Sequence, residues 1–171
     1  MKIATLLAVV CANIIVFTAG AQEIPKGFKQ ASLVLADSST LSGSIKDNMK
    51  GSASILFQPS DGSKKKTYSG SELIAVKTTD ATYACIKGDF FKVLCEGDLC
   101  FLQKVSDASG MPSYNGTEAV FNNGTEGKLN DYFTYDRKNK SLQLVSKKNK
   151  EEVIKASFSN CATLQQLAIG N

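Results

Sequence analysis

Histidine and tryptophan are both absent from the 171-residue chain. Without histidine there is no common general base, and the usual Ser-His and Cys-His nucleophile pairs are excluded. The commonest zinc and copper ligand is missing too. The cysteines do not fall into the paired C-x-x-C groups of a four-cysteine zinc site. There is no G-x-x-x-x-G-K-[ST], no G-x-G-x-x-G after a strand, and no D-x-[DN]-x-[DN]-G calcium loop. Neither metal nor cofactor is expected. Without tryptophan, a frequent sugar-stacking platform is also lacking. No segment after residue 21 is apolar enough to span a bilayer as a helix, and no repeat of fixed period suggests a propeller or solenoid.

What is present first is an export signal. Lys2 supplies a positive start, Ile3–Phe17 is an apolar run broken by Thr5, Cys11 and Asn13, and Ala19-Gly20-Ala21 is an A-x-A cleavage pattern. Residues 1–21 read as a signal peptide cleaved near Ala21, so the mature protein is expected to be periplasmic or extracellular. A membrane anchor is disfavoured because about 15 apolar residues span poorly. Cys11 lies inside the apolar run behind Val10, which does not suit a lipobox. Cleavage removes Lys2 and lowers the formal net charge by one from +4, too little to argue for nucleic acid as a partner. It also removes Cys11, one of five cysteines. The four that stay are Cys85, Cys95, Cys100 and Cys161, an even number that suits disulfides in an exported chain and allows three pairings.

The mature chain reads as mainly β. After a lead-in at 22–30 with Pro25 and Gly27, strands are expected over Ala31–Ala36, Leu41–Ile45 and Ala53–Gln58, with a loop at Asp47–Ser52. Pro59-Ser60-Asp61-Gly62 is a turn. Lys64-Lys65-Lys66 opens the next segment. It reads either as solvated lysines guarding an edge strand or as a basic patch for phosphate or anionic lipid. Glu72–Lys77 and Ala81–Ile86 follow as strands. Residues 106–131 are a polar, Gly-rich excursion with core character only at Val120 and Phe121. Asn115-Gly-Thr117, Asn123-Gly-Thr125 and Asn139-Lys-Ser141 fit the N-glycosylation pattern, but Asn-Gly is also turn chemistry, and turns are the preferred reading. A hairpin at Tyr132–Tyr135 and Ser141–Val145 closes a β domain over 31–146. A helical segment, 147–171, is expected to cover it. Asn149 would cap a helix carrying Glu151 and Glu152 at its positive end, and Ala162–Ile169 would form a second.

The strongest element is a hairpin at Phe90–Val105. A four-residue loop, Glu96–Leu99, would set Cys95 opposite Cys100, Val93 opposite Leu102 and Lys92 opposite Gln103. One face would carry Phe91, Val93, Cys95, Cys100 and Leu102 as far as Lys104. The other would carry Phe90, Leu94, Phe101 and Val105. Both faces are apolar, so the hairpin should be central and covered on both sides. Opposed cysteines fall within disulfide range, and closing so short a loop would contribute about 2 kcal/mol in the chain-entropy model. The competing reading is two reduced, buried small hydrophobes. A Cys95–Cys100 bridge would leave Cys85 and Cys161 as the second pair.

Two catalytic readings survive. Paired carboxylates drawn from Asp89, Glu96, Asp98, Glu118, Glu126 and Asp131 would suit a glycosidase, but all six fall in apparent turns. Cys161 near a helix start could be a nucleophile, but it has no partner base. Tyrosine suits contact surfaces, and Tyr114, in the polar excursion, is the best placed for one.

The order Leu33-Val-Leu-Ala-Asp-Ser-Ser-Thr-Leu-Ser-Gly-Ser-Ile45, Ile55-Leu-Phe57, Tyr68 with Glu72-Leu-Ile74, Tyr83, and Phe90-Phe-Lys-Val-Leu-Cys-Glu-Gly97 resembles a group of uncharacterised exported β-rich proteins of Bacteroidota. Asn160-Cys-Ala-Thr-Leu164 matches their helical C-terminus. The resemblance covers most of 27–168 and departs from the pattern where Ser38-Ser39 replaces Asp-Gly. It implies no activity for any residue. The first half is also similar to a small SH3-like barrel, which bears on fold alone.

Taken together, these features describe an antiparallel, barrel-like roll or sandwich with short C-terminal helices. The expected function is that of a non-enzymatic envelope or extracellular module binding a protein or surface polymer through residues such as Tyr114, Lys64, Lys65 and Lys66. The alternatives are a carboxylate-dependent hydrolase of carbohydrate or cell-wall material, and a carrier of an apolar ligand.

Overall fold

A computed structural model describes residues 24–114, 119–121, 123–162 and 164. The expected signal peptide, the Asn115 glycosylation pattern, Glu118 and most of the second C-terminal helix lie outside the described residues. Among those described, the fold is mainly β. One antiparallel ten-stranded sheet runs in the order β12-β11-β8-β7-β6-β5-β1-β2-β3-β4. The strands are β1 (Lys29–Leu35), β2 (Thr40–Asn48), β3 (Ser54–Pro59), β4 (Lys66–Ser69), β5 (Leu73–Thr78), β6 (Thr82–Ile86), β7 (Asp89–Cys95), β8 (Leu99–Lys104), β11 (Tyr132–Asp136) and β12 (Ser141–Val145). A small hairpin, β9 (Pro112–Tyr114) and β10 (Ala119–Phe121), stands apart from the sheet. The sheet is open, giving a roll or sandwich. No helix of the described residues is long and apolar enough to cross a membrane.

The β1–β7 half curls around one core. Leu33, Ile55, Phe57, Val76 and Phe90 are fully buried there, and Tyr68 of the far strand β4 joins the same cluster. The curl brings the end of β4 back to the β6–β7 turn, where Gly70 bridges Gly88. Lys87 and Gly88 both have positive φ (51° and 86°), the geometry of a tight two-residue hairpin turn. A Cβ on Gly70 would strike the Gly88 carbonyl, so glycine is what lets the two backbones meet.

The other half carries a core on each face. Phe91, Cys100, Leu102 and Phe133 share one. On the reverse face Phe101 packs edge-on against Phe158 (5.2 Å) and stacks on Tyr132 (5.6 Å), with Val145, Ile154 and Leu164 around them. Ile154 and Phe158 come from helix α2 (Lys150–Ser157) and the residue after it, so the C-terminal segment lies on this face. The helix begins after Asn149, as its sequence suggests, with Glu151 and Glu152 in the first turn. The Asn149 side chain, however, makes no cap bond. Its Oδ1 pairs with the Ser146 hydroxyl at 2.8 Å. The expected loop at Asp47–Ser52 contains a single helical turn, α1 (Met49–Ser52), because Asp47 Oδ1 accepts from the Met49 N–H (2.8 Å) and buried Met49 anchors it in the core.

The central hairpin has the expected register up to one point. Lys92 faces Gln103 and Val93 faces Leu102, but Cys95 faces Phe101, not Cys100. A bulge at Leu94 inserts one residue, and a one-residue slip turns a side chain to the other face. Cys95 therefore joins the Phe101–Phe158 core, while Cys100 stays with Phe91 and Leu102. The two cysteines are separated by the sheet.

Asp89 is not the surface turn acid that its sequence context suggests. It is a β7 residue with no solvent exposure, paired with equally buried Lys104 of β8 at 3.2 Å. Its Oδ1 accepts from the Ala108 N–H (2.6 Å) and the Ser106 hydroxyl (3.3 Å). Its Oδ2 accepts from the Thr125 N–H (2.8 Å) and the Thr125 hydroxyl (2.6 Å). Lys104 Nζ donates to the carbonyls of Thr125 (2.8 Å), Glu126 (3.4 Å) and Gly127 (3.3 Å). Ser106 in turn accepts from the Phe90 N–H at 2.7 Å. A buried ion needs a full set of such partners to offset its lost hydration, and here both ions have one. The polar excursion is thereby pinned to the sheet at both of its ends.

Removing one member strands the other. Asp89→Ala is expected to lower stability by about 3–5 kcal/mol, and the Asp89→Ala, Lys104→Met double variant by clearly less than the two single losses added. Denaturant midpoints of the four proteins check this, and strictly additive losses would show that the ions act independently.

Candidate functional site

The largest of three cavities found among the described residues lies where β1, β2, β3 and β5 run side by side. Its volume is about 810 Å³. Registry builds its floor: Ser32 faces Ser42 and Lys77, Gln30 faces Ser44, and Ser44 faces Gln58. Cross-strand neighbours stand about 5 Å apart, so these side chains form a continuous row across strands that are remote in sequence. Ser60 extends the row, its hydroxyl donating to the Ser42 carbonyl at 3.0 Å. Ile24 and Pro25 of the lead-in supply an apolar wall, and Thr78 and Thr79 close the far end.

The chemistry of this groove is hydroxyl and amide. Its lining includes one cation, Lys77, and no carboxylate. Ser44 is almost fully buried at its base, whereas Gln30 and Ser42 are exposed. Gly43 has no room for a side chain, since a Cβ there would meet the Phe57 ring at 2.8 Å. The strand can thus sit directly on the core beneath the groove.

Two smaller cavities, about 530 and 400 Å³, flank the Gly70–Gly88 bridge. The first is lined by Leu73, Cys85, Lys87 and Phe121 among others, and the second by Ser54, Ser69, Glu72 and Met111. Glu72 is the one carboxylate in the three linings, and its Oε2 already accepts from the Ser69 N–H and hydroxyl. Of the candidate acids, Asp89 is enclosed and saturated, and Asp131 Oδ2 accepts from the Lys128 N–H at 2.7 Å. Neither these nor Glu96, Asp98 and Glu126 line any of the three cavities. Among the described residues no group of three or more Cys, Asp or Glu could hold a metal ion.

The expected binding residues fall elsewhere. Lys65 Nζ lies over the Phe28 ring (4.9 Å) and Lys66 Nζ over Tyr68 (4.3 Å), with Glu72 at 3.6 Å from Lys66. All three lysines are exposed, and two of them lie over the protein's own rings beside edge strand β4. None lines the groove. Tyr114 ends β9 and pairs with Ala119. Its side chain lies outside what is described.

All four described cysteines are free thiols. Cys85 packs against the first core, Cys100 lies in the core with Phe91, and Cys161 lies beside Cys95 in the core with Phe101. The expected second pair, Cys85 with Cys161, is therefore split between two cores. Burial pushes the Cys85 thiol up to about 12. Burial and the neighbouring Cys161 also raise that of Cys95.

Comparison with protein-family models, with curated proteins and with solved structures returns no match.

Thiolates, not thiols, react with alkylating agents. Cys85 in the folded protein is therefore expected to alkylate at pH 8 at least roughly tenfold more slowly than in the unfolded chain. Peptide mapping after timed iodoacetamide quenching measures this. Equal rates would mean that the thiol is open to solvent.

Proposed function

We propose that this is an exported, non-enzymatic module that binds a neutral surface polymer, with polysaccharide as the chemical class, in the groove across β1, β2, β3 and β5. The observation that carries the reading is the lining: hydroxyls and amides from Gln30, Ser32, Ser42, Ser44, Gln58 and Ser60, with no carboxylate. Such groups hydrogen-bond sugar hydroxyls as both donors and acceptors, and they sit on strands whose positions the sheet fixes. The apolar wall of Ile24 and Pro25 offers a surface for a sugar ring face. Export is supported by the Lys2, apolar-run and Ala19-Gly20-Ala21 pattern.

A hydrolase would need two carboxylates facing each other across a cleft, and none of the three cavities holds such a pair. A carrier would need an internal space. The curled half is instead filled by Leu33, Ile55, Phe57, Val76 and Phe90, all without solvent exposure.

The test is retention of the full chain on insoluble cell-wall polysaccharide and on a glycan array. Gln30→Ala with Gln58→Ala removes both groove amides and is expected to weaken binding roughly tenfold or more, since each lost hydrogen bond is worth about 1 kcal/mol, with only a small fall in melting temperature from the lost Gln58 Nε2–Ser63 carbonyl bond (2.8 Å). Unchanged binding by the double variant would refute the groove. No retention by the native protein on any glycan would refute the polymer.

A further inference from the structure

The bulge at Leu94 has a chemical result. It turns Cys95 onto the face that receives the C-terminal segment, and that segment brings Cys161 to the same place. Cys161 sits in a turn fixed on both sides: its N–H donates to the Phe158 carbonyl (3.0 Å), and its own carbonyl accepts from the N–H of buried Leu164 (3.0 Å). Its Sγ points at the carbonyl of Leu94, the residue before Cys95, at 3.7 Å. Both cysteines pack against the same core, beside Phe101, Ile154 and Phe158. The competing thiols are placed against them, Cys100 behind the sheet with its Sγ on the Gly97 carbonyl (3.2 Å) and Cys85 in the first core.

We propose that Cys95 and Cys161 are a site of disulfide formation, a covalent clasp that fastens the C-terminal segment to the sheet. The oxidant is a small or protein disulfide. The Cys161 thiolate attacks it, expels one thiolate and becomes a mixed disulfide. The Cys95 thiolate then attacks the Cys161 sulfur and expels the second. Two cysteine thiols are oxidised to one S–S bond, one external disulfide is reduced to two thiols, and the two protons leave with them. The clasp does not depend on what the groove binds. It leaves Cys85 and Cys100 reduced, so the four described cysteines give one bridge and two thiols.

The full chain is prepared reduced, exposed to oxidised glutathione under native conditions, alkylated in denaturant and mapped by mass spectrometry. The expected product is lighter by two hydrogens, carries a Cys95–Cys161 linked peptide, and is alkylated at Cys85 and Cys100. The Cys85→Ser, Cys100→Ser double variant should close equally well. A Cys95–Cys100 link, a link through Cys85, or alkylation of all four cysteines after prolonged exposure would overturn the proposal. The mapping uses the native sequence, so its outcome does not depend on a variant folding. Limited proteolysis supplies a second readout: cleavage around α2 is expected to slow roughly tenfold on closure, as a clasp suppresses local opening. Equal cleavage of the open and closed forms would mean that the bond fastens nothing.

Discussion

The Asp89–Lys104 pair is the interaction on which the rest of the structure depends. Neither ion reaches solvent. Together they draw on hydroxyl and amide donors at Ser106, Ala108 and Thr125, on the three carbonyls of Thr125 to Gly127, and on each other. Sheet and loop are specified jointly by this arrangement. The pair sits on adjacent strands β7 and β8, which are internal to the sheet, so the sheet fixes its position. The loop supplies partners that water would otherwise supply. This is how a Gly-, Ser- and Asn-rich stretch, too polar to build a core, is held in place.

Much of the fold was legible in the residues. Apolar runs and alternation located most strands of the sheet, though not β9 and β10 in the polar excursion or the bounds of β4, and two apolar faces made the Phe90–Val105 hairpin an internal one. What failed did so for local reasons. Composition gave no sign of the bulge at Leu94, because Val-Leu-Cys offers no glycine or proline to mark it. That single insertion changed the partner of Cys95. Asp89 looked like a turn acid because it follows Lys87-Gly88. The turn is real, but it is so tight that the next residue is already inside the sheet. The groove was hidden for another reason. Its serines and glutamines are the ordinary polar half of each alternating strand, and they become a site only when β5, β1, β2 and β3 are laid in register. No spacing along the chain contains that information.

The groove and the buried polar chemistry lie in different halves of the sheet. The curled half carries the groove, and its core lies directly beneath the strands that line it, so the lining side chains inherit rigid positions. The other half carries the helix, the buried ion pair and three of the four described thiols.

The strand order has a consequence for how the chain reaches this state. Within the sheet, β1 to β4 form one up-and-down ribbon and β5 to β8 another, each built from neighbours in sequence. They meet along the seam where β1 pairs β5, and the intervening ribbon must form or fold back before that seam can close. Until then Leu33 and Val76, both fully buried in the finished sheet, lie on two open edges. Such edges template pairing with other chains, and non-local strand pairing is slow. The seam is therefore the point at which assembly of this chain competes with aggregation, and the interval before it closes sets how long the nascent protein is vulnerable.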